Sequence, residues 1–180
     1  MSTYSKQIAK LKSHIRDIPD FPKPGIIFKD ITPLLSNPPA FKMAVDMLAD
    51  RLSGLDVDFI ACPEARGFIL AAPLAYQLDA GITLIRKPGK LPANTIEHTF
   101  DLEYGSDTLS IHTDAFASKP NPSVLIVDDV LATGGTVKAT AELISAAGGK
   151  VTGVAVLIEL DFLDGRSRLA GLPVTSLLNY

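Results

Sequence analysis

The sequence predicts an α/β fold, a central and mostly parallel sheet with helices on its faces. Two observations carry this. Short, continuous apolar runs alternate with helical stretches along most of the chain, the pattern of strands buried on both faces of a parallel sheet. The run Val124-Leu125-Ile126-Val127 ends in two acids and is followed by two glycines and another helical stretch. That is a strand delivering polar groups to the carboxyl edge of such a sheet, where ligands sit in open α/β folds.

The elements follow in order. Ile8, Leu11 and Ile15 recur at helical spacing and predict an amphipathic helix near 4–16. Phe21 to Gly25 holds two prolines and a glycine and makes a loop. Asn37 is placed to cap a second helix with Pro38 in its first turn, and Phe41, Val45, Leu48 and Leu52 form its apolar stripe. Residues 57–61 read as a strand. Residues 68–78 are apolar nearly all round and predict a buried helix kinked at Pro73. Strands follow at 82–85, 124–127, 151–157 and 174–178, and a helix through Val137, Ala141 and Ile144 ends at Gly148-Gly149. Residues 87–122 break the rhythm. A breaker-rich cationic loop leads into two polar, alternating stretches around 95–103 and 107–113, with Gly105 at the turn between them. They read as a β-hairpin excursion, and a long excursion of this kind is often a lid.

Composition narrows the function. The 180 residues suit one domain with one sizeable core; 47% are apolar and 21% charged. Lys plus Arg number 17 against 20 Asp plus Glu, a net charge of −3, which argues against a general nucleic-acid binder. The single cysteine, Cys62, follows Ile60 and Ala61 and reads as a buried small hydrophobe. One thiol forms no internal disulfide, so the expected compartment is the cytoplasm. No secretory leader and no membrane span is expected. His14, His98 and His112 fit no metal pattern and read as surface or structural residues.

The segment Val124 to Thr136 carries the most information. Asp128 and Asp129 at a buried strand end are costly without a partner. Adjacent carboxylates suit the vicinal hydroxyls of a sugar, or a metal shell. The glycines after them let backbone N–H groups approach a phosphate, and the helix start adds its positive end. Thr133 and Thr136 add hydroxyls. No Gly-Lys-Ser/Thr follows, so this is not a Walker loop, nor is it the Gly-x-Gly-x-x-Gly dinucleotide fingerprint. A second turn of the same kind is Pro63-Glu64-Ala65-Arg66-Gly67-Phe68; alone, it is equally an ordinary helix start. Arg86, Lys87 and Lys90 cluster around Pro88-Gly89 and are, by themselves, equally a solvated basic loop.

Val-Leu-Ile-Val-Asp-Asp-Val-Leu-Ala-Thr-Gly-Gly-Thr resembles the phosphoribosyl pyrophosphate (PRPP) motif of type I phosphoribosyltransferases. Glu-Ala-Arg-Gly-Phe, Arg-Lys-Pro-Gly-Lys-Leu-Pro, Leu-Glu-Tyr-Gly and the segment Gly25 to Pro33 are similar to the adenine branch of that family, in the family's order from about Ile18 to Leu160. The resemblance implies one domain, residues 1–180, of the type I fold. Residues 1–35 would be an N-terminal helix and base-binding hood, and residues 87–113 a lid.

It also implies roles. Asp128 and Asp129 would hold the ribose hydroxyls, and Ala132, Thr133, Gly134, Gly135 and Thr136 would cradle the 5-phosphate. Glu64, Ala65, Arg66 and Gly67 would form the pyrophosphate loop, with Arg86, Lys87 and Lys90 neutralising the departing anion. Glu103 would manage a proton at adenine N7 as general acid or base, and Tyr104 would close over the substrates or pack the hairpin. The main chain at Ile27 would read adenine N6 and N1, Phe28 would stack on the purine, and Leu160 would lie on the other face. On their residues alone, Phe28 and Leu160 also read as plain core positions. Two departures stand out: Lys29 replaces the commoner Arg, and Pro63 is less usual before the pyrophosphate loop. Mg²⁺ bound through PRPP, with Asp128 as a candidate contact, and a homodimer are further implications. The implied reaction joins adenine to PRPP, giving AMP and pyrophosphate. The rivals are the same chemistry on another purine such as xanthine, and a non-catalytic regulator that senses PRPP.

Overall fold

The structure, a computed structural model, describes residues 2–101, 105–169 and 171–180. The chain divides into two units, Met1–Met47 and Leu48–Tyr180.

In the first unit, Ser2 caps helix α1 (Thr3–Lys12) by accepting from Ser5 N at 3.1 Å. The helix stops at Lys12, short of the expected residue 16. The chain then forms a two-stranded antiparallel ribbon, β1 (Arg16–Pro19) with β2 (Ile27–Asp30). Sequence reading missed this ribbon because polar pairs hold it. Arg16 faces Asp30 at 2.6 Å, and Asp17 faces Lys29 at 2.7 Å. Apolar spacing carries no sign of such pairs, and Ile15 continued the helical pattern by coincidence. A short helix α2 (Thr32–Leu35) follows, with Asp30 Oδ1 accepting from Thr32 N at 2.9 Å. Helix α3 (Pro38–Leu52) begins as expected, with Asn37 Oδ1 accepting from Ala40 N at 3.0 Å.

The second unit is built on one five-stranded sheet, with every pairing parallel. In chain order its elements are β3 (Phe59–Pro63), α4 (Arg66–Leu78), β4 (Gly81–Ile85), the hairpin β5 (Thr95–Asp101) and β6 (Ser106–His112), β7 (Ser123–Leu131), α5 (Gly135–Ala146), β8 (Lys150–Glu159) and β9 (Val174–Asn179). The spatial order is β4-β3-β7-β8-β9. Two 3-10 turns, Asp161–Leu163 and Gly165–Leu169, join β8 to β9. The apolar runs of β7 and β8 are buried as continuous strands, as a sheet covered on both faces requires.

Helix α4 departs from the expectation of burial all round. Gly67, Leu70, Ala71, Leu74 and Ala75 are buried, whereas Ile69 is half-exposed and Tyr76 is 90% exposed. The sheet takes one flank of the helix only. The hairpin was expected and is present. An Arg86–Ser110 bridge ties it to the end of β4, and Thr99 and Thr108 bond across it at 2.9 Å. Phe100 lies 3.8 Å from where a Cβ on Gly135 would stand, so the hairpin rests against the start of α5.

Candidate functional site

The site begins where strand lengths mismatch. β3 pairs with β7 only as far as Ala61–Ile126, whereas β8 pairs with β7 on to Glu159–Leu131. Strand β7 therefore continues through both acids, past the predicted end at Val127, because its other neighbour goes on bonding. Beyond Ile126, the flank of β7 that β3 has left faces the turn into α4. Gly67 makes that approach possible: a Cβ there would stand 3.1 Å from Val127 O and 3.3 Å from Asp128 Oδ1.

Both acids are buried. Arg66 Nε donates to Asp129 Oδ2, and Asp129 N donates to Asp128 Oδ1 at 2.8 Å. Burial, and then the charge of Asp129, push the Asp128 carboxyl well above its ordinary pKa; the Asp129 amide and the Arg66 charge offset only part of this. Cys62 lies near Asp128, its thiol pushed up to about 12, first by burial and then by Asp128. A thiol held protonated and turned to Thr83 O at 3.8 Å is no nucleophile; Cys62 is the buried small residue expected.

The turn from β7 to α5 holds a cavity of about 70 Å³ lined by residues 130–137. Gly134 takes φ +82°, open to glycine at no steric cost. No side chain caps α5 at Gly134, and none caps α4 at Ala65. By contrast, Ser2 and Asn37 cap α1 and α3. The first N–H groups of a helix have no partner within it. The two helices that begin at the sheet's carboxyl edge thus present those donors, and the positive ends of their dipoles, to whatever lies there. The sequence-predicted residues Ala132, Thr133, Gly134, Gly135 and Thr136 are all part of this turn.

The pyrophosphate-loop candidates divide. Arg66 and Gly67 face the two acids, whereas Glu64 turns the other way. Its carboxylate accepts from Arg86 Nε at 2.7 Å and from Lys87 N at 3.1 Å, and its own amide donates to Ile85 O at 2.9 Å. Burial opposes ionisation of Glu64, but Arg86, the Lys87 amide and the Lys90 charge outweigh it and hold the pKa below its ordinary value. Glu64 therefore braces the basic loop. The Glu64–Ala65 peptide is cis. Arg86 also reaches Lys90 O at 3.3 Å and lies 5.9 Å over the Phe68 ring. Lys87 Nζ pairs with Asp107 of the hairpin. Of Arg86, Lys87 and Lys90, only Lys90 is exposed; the other two are partly buried.

Leu160 follows β8 at the same edge, its N–H donating to Leu131 O at 3.0 Å. Just before it, Glu159 is buried and clamped by Arg166, one of whose two contacts is 2.7 Å. The hood candidates belong to the first unit. Phe28 meets Phe21 edge to face at 5.2 Å, and Lys29 pairs with Asp17. Ile27 is half-exposed and faces Pro19 in the ribbon, which has no N–H to give the Ile27 carbonyl. Glu103 and Tyr104 lie outside the described residues. His98 Nε2 lies 2.7 Å from Glu142 Oε2, and His112 Nε2 lies 2.5 Å from Pro92 O, both structural contacts.

Sequence reading missed the bracing role of Glu64, the partner Asp107, the clamp Arg166, and Gly165. A Cβ on Gly165 would stand 2.2 Å from Ala132 O, so this glycine backs the phosphate-competent turn. Nothing in its spacing marks it.

The phosphoribosyl transferase domain model matches residues 33–170. An adenine phosphoribosyltransferase of Maridesulfovibrio salexigens is 56% identical over 168 residues, covering 93% of this chain and 98% of that protein. The crystal structure of the adenine phosphoribosyltransferase of Thermoanaerobacter pseudethanolicus superposes with a TM-score of 0.92 at 51% identity, over 96% of this chain and 99% of that one. The Saccharomyces cerevisiae adenine phosphoribosyltransferase, solved with an imino-altritol bisphosphate and adenine, gives 0.88 at 36% identity, over 97% of this chain and 99% of that one.

Proposed function

The chain belongs to the phosphoribosyltransferase family, in its adenine phosphoribosyltransferase branch, and from that premise we propose how its residues carry the reaction. The chain transfers the 5-phosphoribosyl group of PRPP to adenine, giving AMP and pyrophosphate, a step of purine salvage. One observation supports the residue assignment most. Two buried acids stand beside a glycine turn whose helix start is uncapped.

In this assignment the 5-phosphate accepts hydrogen bonds from the amides and hydroxyls of Ala132–Thr136. Asp128 and Asp129 accept hydrogen bonds from the ribose hydroxyls. Arg66 pairs with Asp129 in the free chain; with PRPP bound it turns to the pyrophosphate. Lys87 and Lys90 meet the same anion. As adenine N9 attacks the anomeric carbon and the bond to pyrophosphate breaks, these cations stabilise the growing negative charge. Glu103 accepts the proton that adenine releases at N7 as N9 bonds to the anomeric carbon, and closure of residues 87–113 removes water and raises its pKa toward that task. Tyr104 closes over the substrates. The main chain at Ile27 reads adenine N6 and N1, with Phe28 and Leu160 on the purine faces. An oxopurine sets acceptor against acceptor there.

Mg²⁺ suits this site. Among the described residues no three metal-ligating side chains gather, and the donors present are carboxylate oxygens. That suits an ion carried on substrate phosphates with one protein contact, Asp128. When bound, it would neutralise pyrophosphate charge. We also propose a homodimer, formed through the exposed apolar side chains Ile69 and Tyr76 of α4 and Ile82 and Leu84 of the edge strand β4. The cytoplasm is proposed on the lone buried thiol.

The test is nucleotide formation from PRPP and Mg²⁺ with adenine, hypoxanthine, guanine and xanthine in turn. AMP formation from adenine, with little product from the oxopurines, is expected. Preference for an oxopurine would overturn the proposed base recognition.

A further inference from the structure

A groove on the flank of α5 meets the proposed reaction site only at Gly135. It consists of two adjoining hollows, of about 610 Å³ and about 380 Å³, which share Lys138, Glu142 and Arg168 as walls. Both volumes fall within the ~300–1,000 Å³ of small-molecule sites. The groove follows α5 from its first residue, Gly135, to the Gly149–Lys150 corner beyond its end.

The chemistry of its lining is two-sided. Ala141, Val151, Leu169 and Leu172 give the larger hollow an apolar floor. In the smaller, the His98 and Phe100 rings stack nearly parallel, their centroids 6.5 Å apart. Around the floor stand Lys138, Lys150 and Arg168, against one acid, Glu142. That acid is already engaged by His98 at 2.7 Å. The three cations make no ion pair with any described residue. In a chain of net charge −3, such a cluster is a local positive field that attracts an anion.

We propose that this groove binds a nucleoside polyphosphate as an effector, separately from the substrates. Lys138, Lys150 and Arg168 hold the phosphates, and the apolar floor takes the base. An inorganic anion would leave that floor unused, and an apolar molecule would leave the cations unused. The groove also has a route to the reaction. It borders Gly135 and Phe100, and Gly135 opens the helix whose first turn is the phosphate-competent loop. Occupancy is therefore felt as a change in the KM for PRPP.

The test is calorimetric titration of the full chain with ATP, GTP and tripolyphosphate, each in excess AMP to fill the reaction site. One nucleotide per chain is expected, with tripolyphosphate clearly weaker. In the Lys150→Glu/Arg168→Glu variant, affinity falls about tenfold or more, equivalent to about 1.4 kcal/mol, while the rate of AMP formation without nucleotide and the Tm stay unchanged. The milder Arg168→Ala gives a smaller loss in the same direction. Nucleotide binding that ignores charge reversal, or tripolyphosphate binding as tight as ATP, overturns the proposal. A chain that bound nucleotide here but made no AMP would instead count against the reaction assigned above.

Discussion

Gly134 and Gly165 meet backbone to backbone: a Cβ on Gly134 would stand 2.6 Å from the carbonyl oxygen of Gly165. Gly134 also holds φ +82°, which side chains rarely adopt. Both constraints fall on the turn proposed to hold the 5-phosphate. Gly134→Ala is expected to cost roughly 1–3 kcal/mol in backbone strain alone, and the clash with backbone forces the turn to move. The KM for PRPP should rise about tenfold or more, with Tm falling by several degrees. A variant with wild-type KM would show that the turn tolerates movement and does not grip the phosphate.

Asp128 sets stability against function. Its raised pKa means that the folded chain holds a proton the unfolded chain releases. That favours folding below the unfolded carboxylate value, about 3.9, and the benefit is lost as pH rises through the raised folded value. Above the unfolded value this buried carboxyl works against folding. Asp128→Asn should therefore raise the Tm of the ligand-free protein near pH 7.5. A rise on the order of 2–4 °C corresponds to about 1 kcal/mol in a chain this size. The gain should shrink as pH falls toward 4, and PRPP binding should weaken. A lower Tm at neutral pH would refute the assigned electrostatics.

Glu64 is predicted to act through Arg86 and Lys87 and not by touching substrate. Glu64→Ala releases the basic loop, so the KM for PRPP is expected to rise about tenfold, roughly 1.4 kcal/mol, with kcat little changed. Glu64→Gln, which keeps one acceptor, should fall between. The lowered pKa of Glu64 favours folding above the ordinary carboxylate range and is lost as pH falls through its folded value. The Tm deficit of Glu64→Ala should thus close in acid. Loss of kcat with an unchanged KM would contradict the bracing role.

Glu103 carries the proton chemistry in the proposed mechanism. Glu103→Ala is expected to lower kcat by about 10²–10⁴, the range for general acid–base groups, with little change in PRPP affinity measured by equilibrium binding. Glu103→Gln should fare no better, since it lacks the titrating oxygen. Wild-type turnover in either variant would remove Glu103 from the reaction.

What the sequence determined by itself was local. Continuous apolar runs specified the five parallel strands, Asn37 specified the start of α3, and Asp128-Asp129 with Gly134-Gly135 specified the glycine turn from β7 into α5. Each is written in neighbouring residues, because burial imposes a period and a turn demands particular backbone freedom. Tertiary structure alone decided the partners: Arg66 on Asp129, Glu64 on Arg86, Lys87 on Asp107, and Gly165 behind Ala132. It also decided that β7 runs on through its acids, since β8 outlasts β3 beside it. These contacts join residues 20 or more positions apart. Strand order brings them together, and a polar side chain leaves no period by which its distant partner could be read.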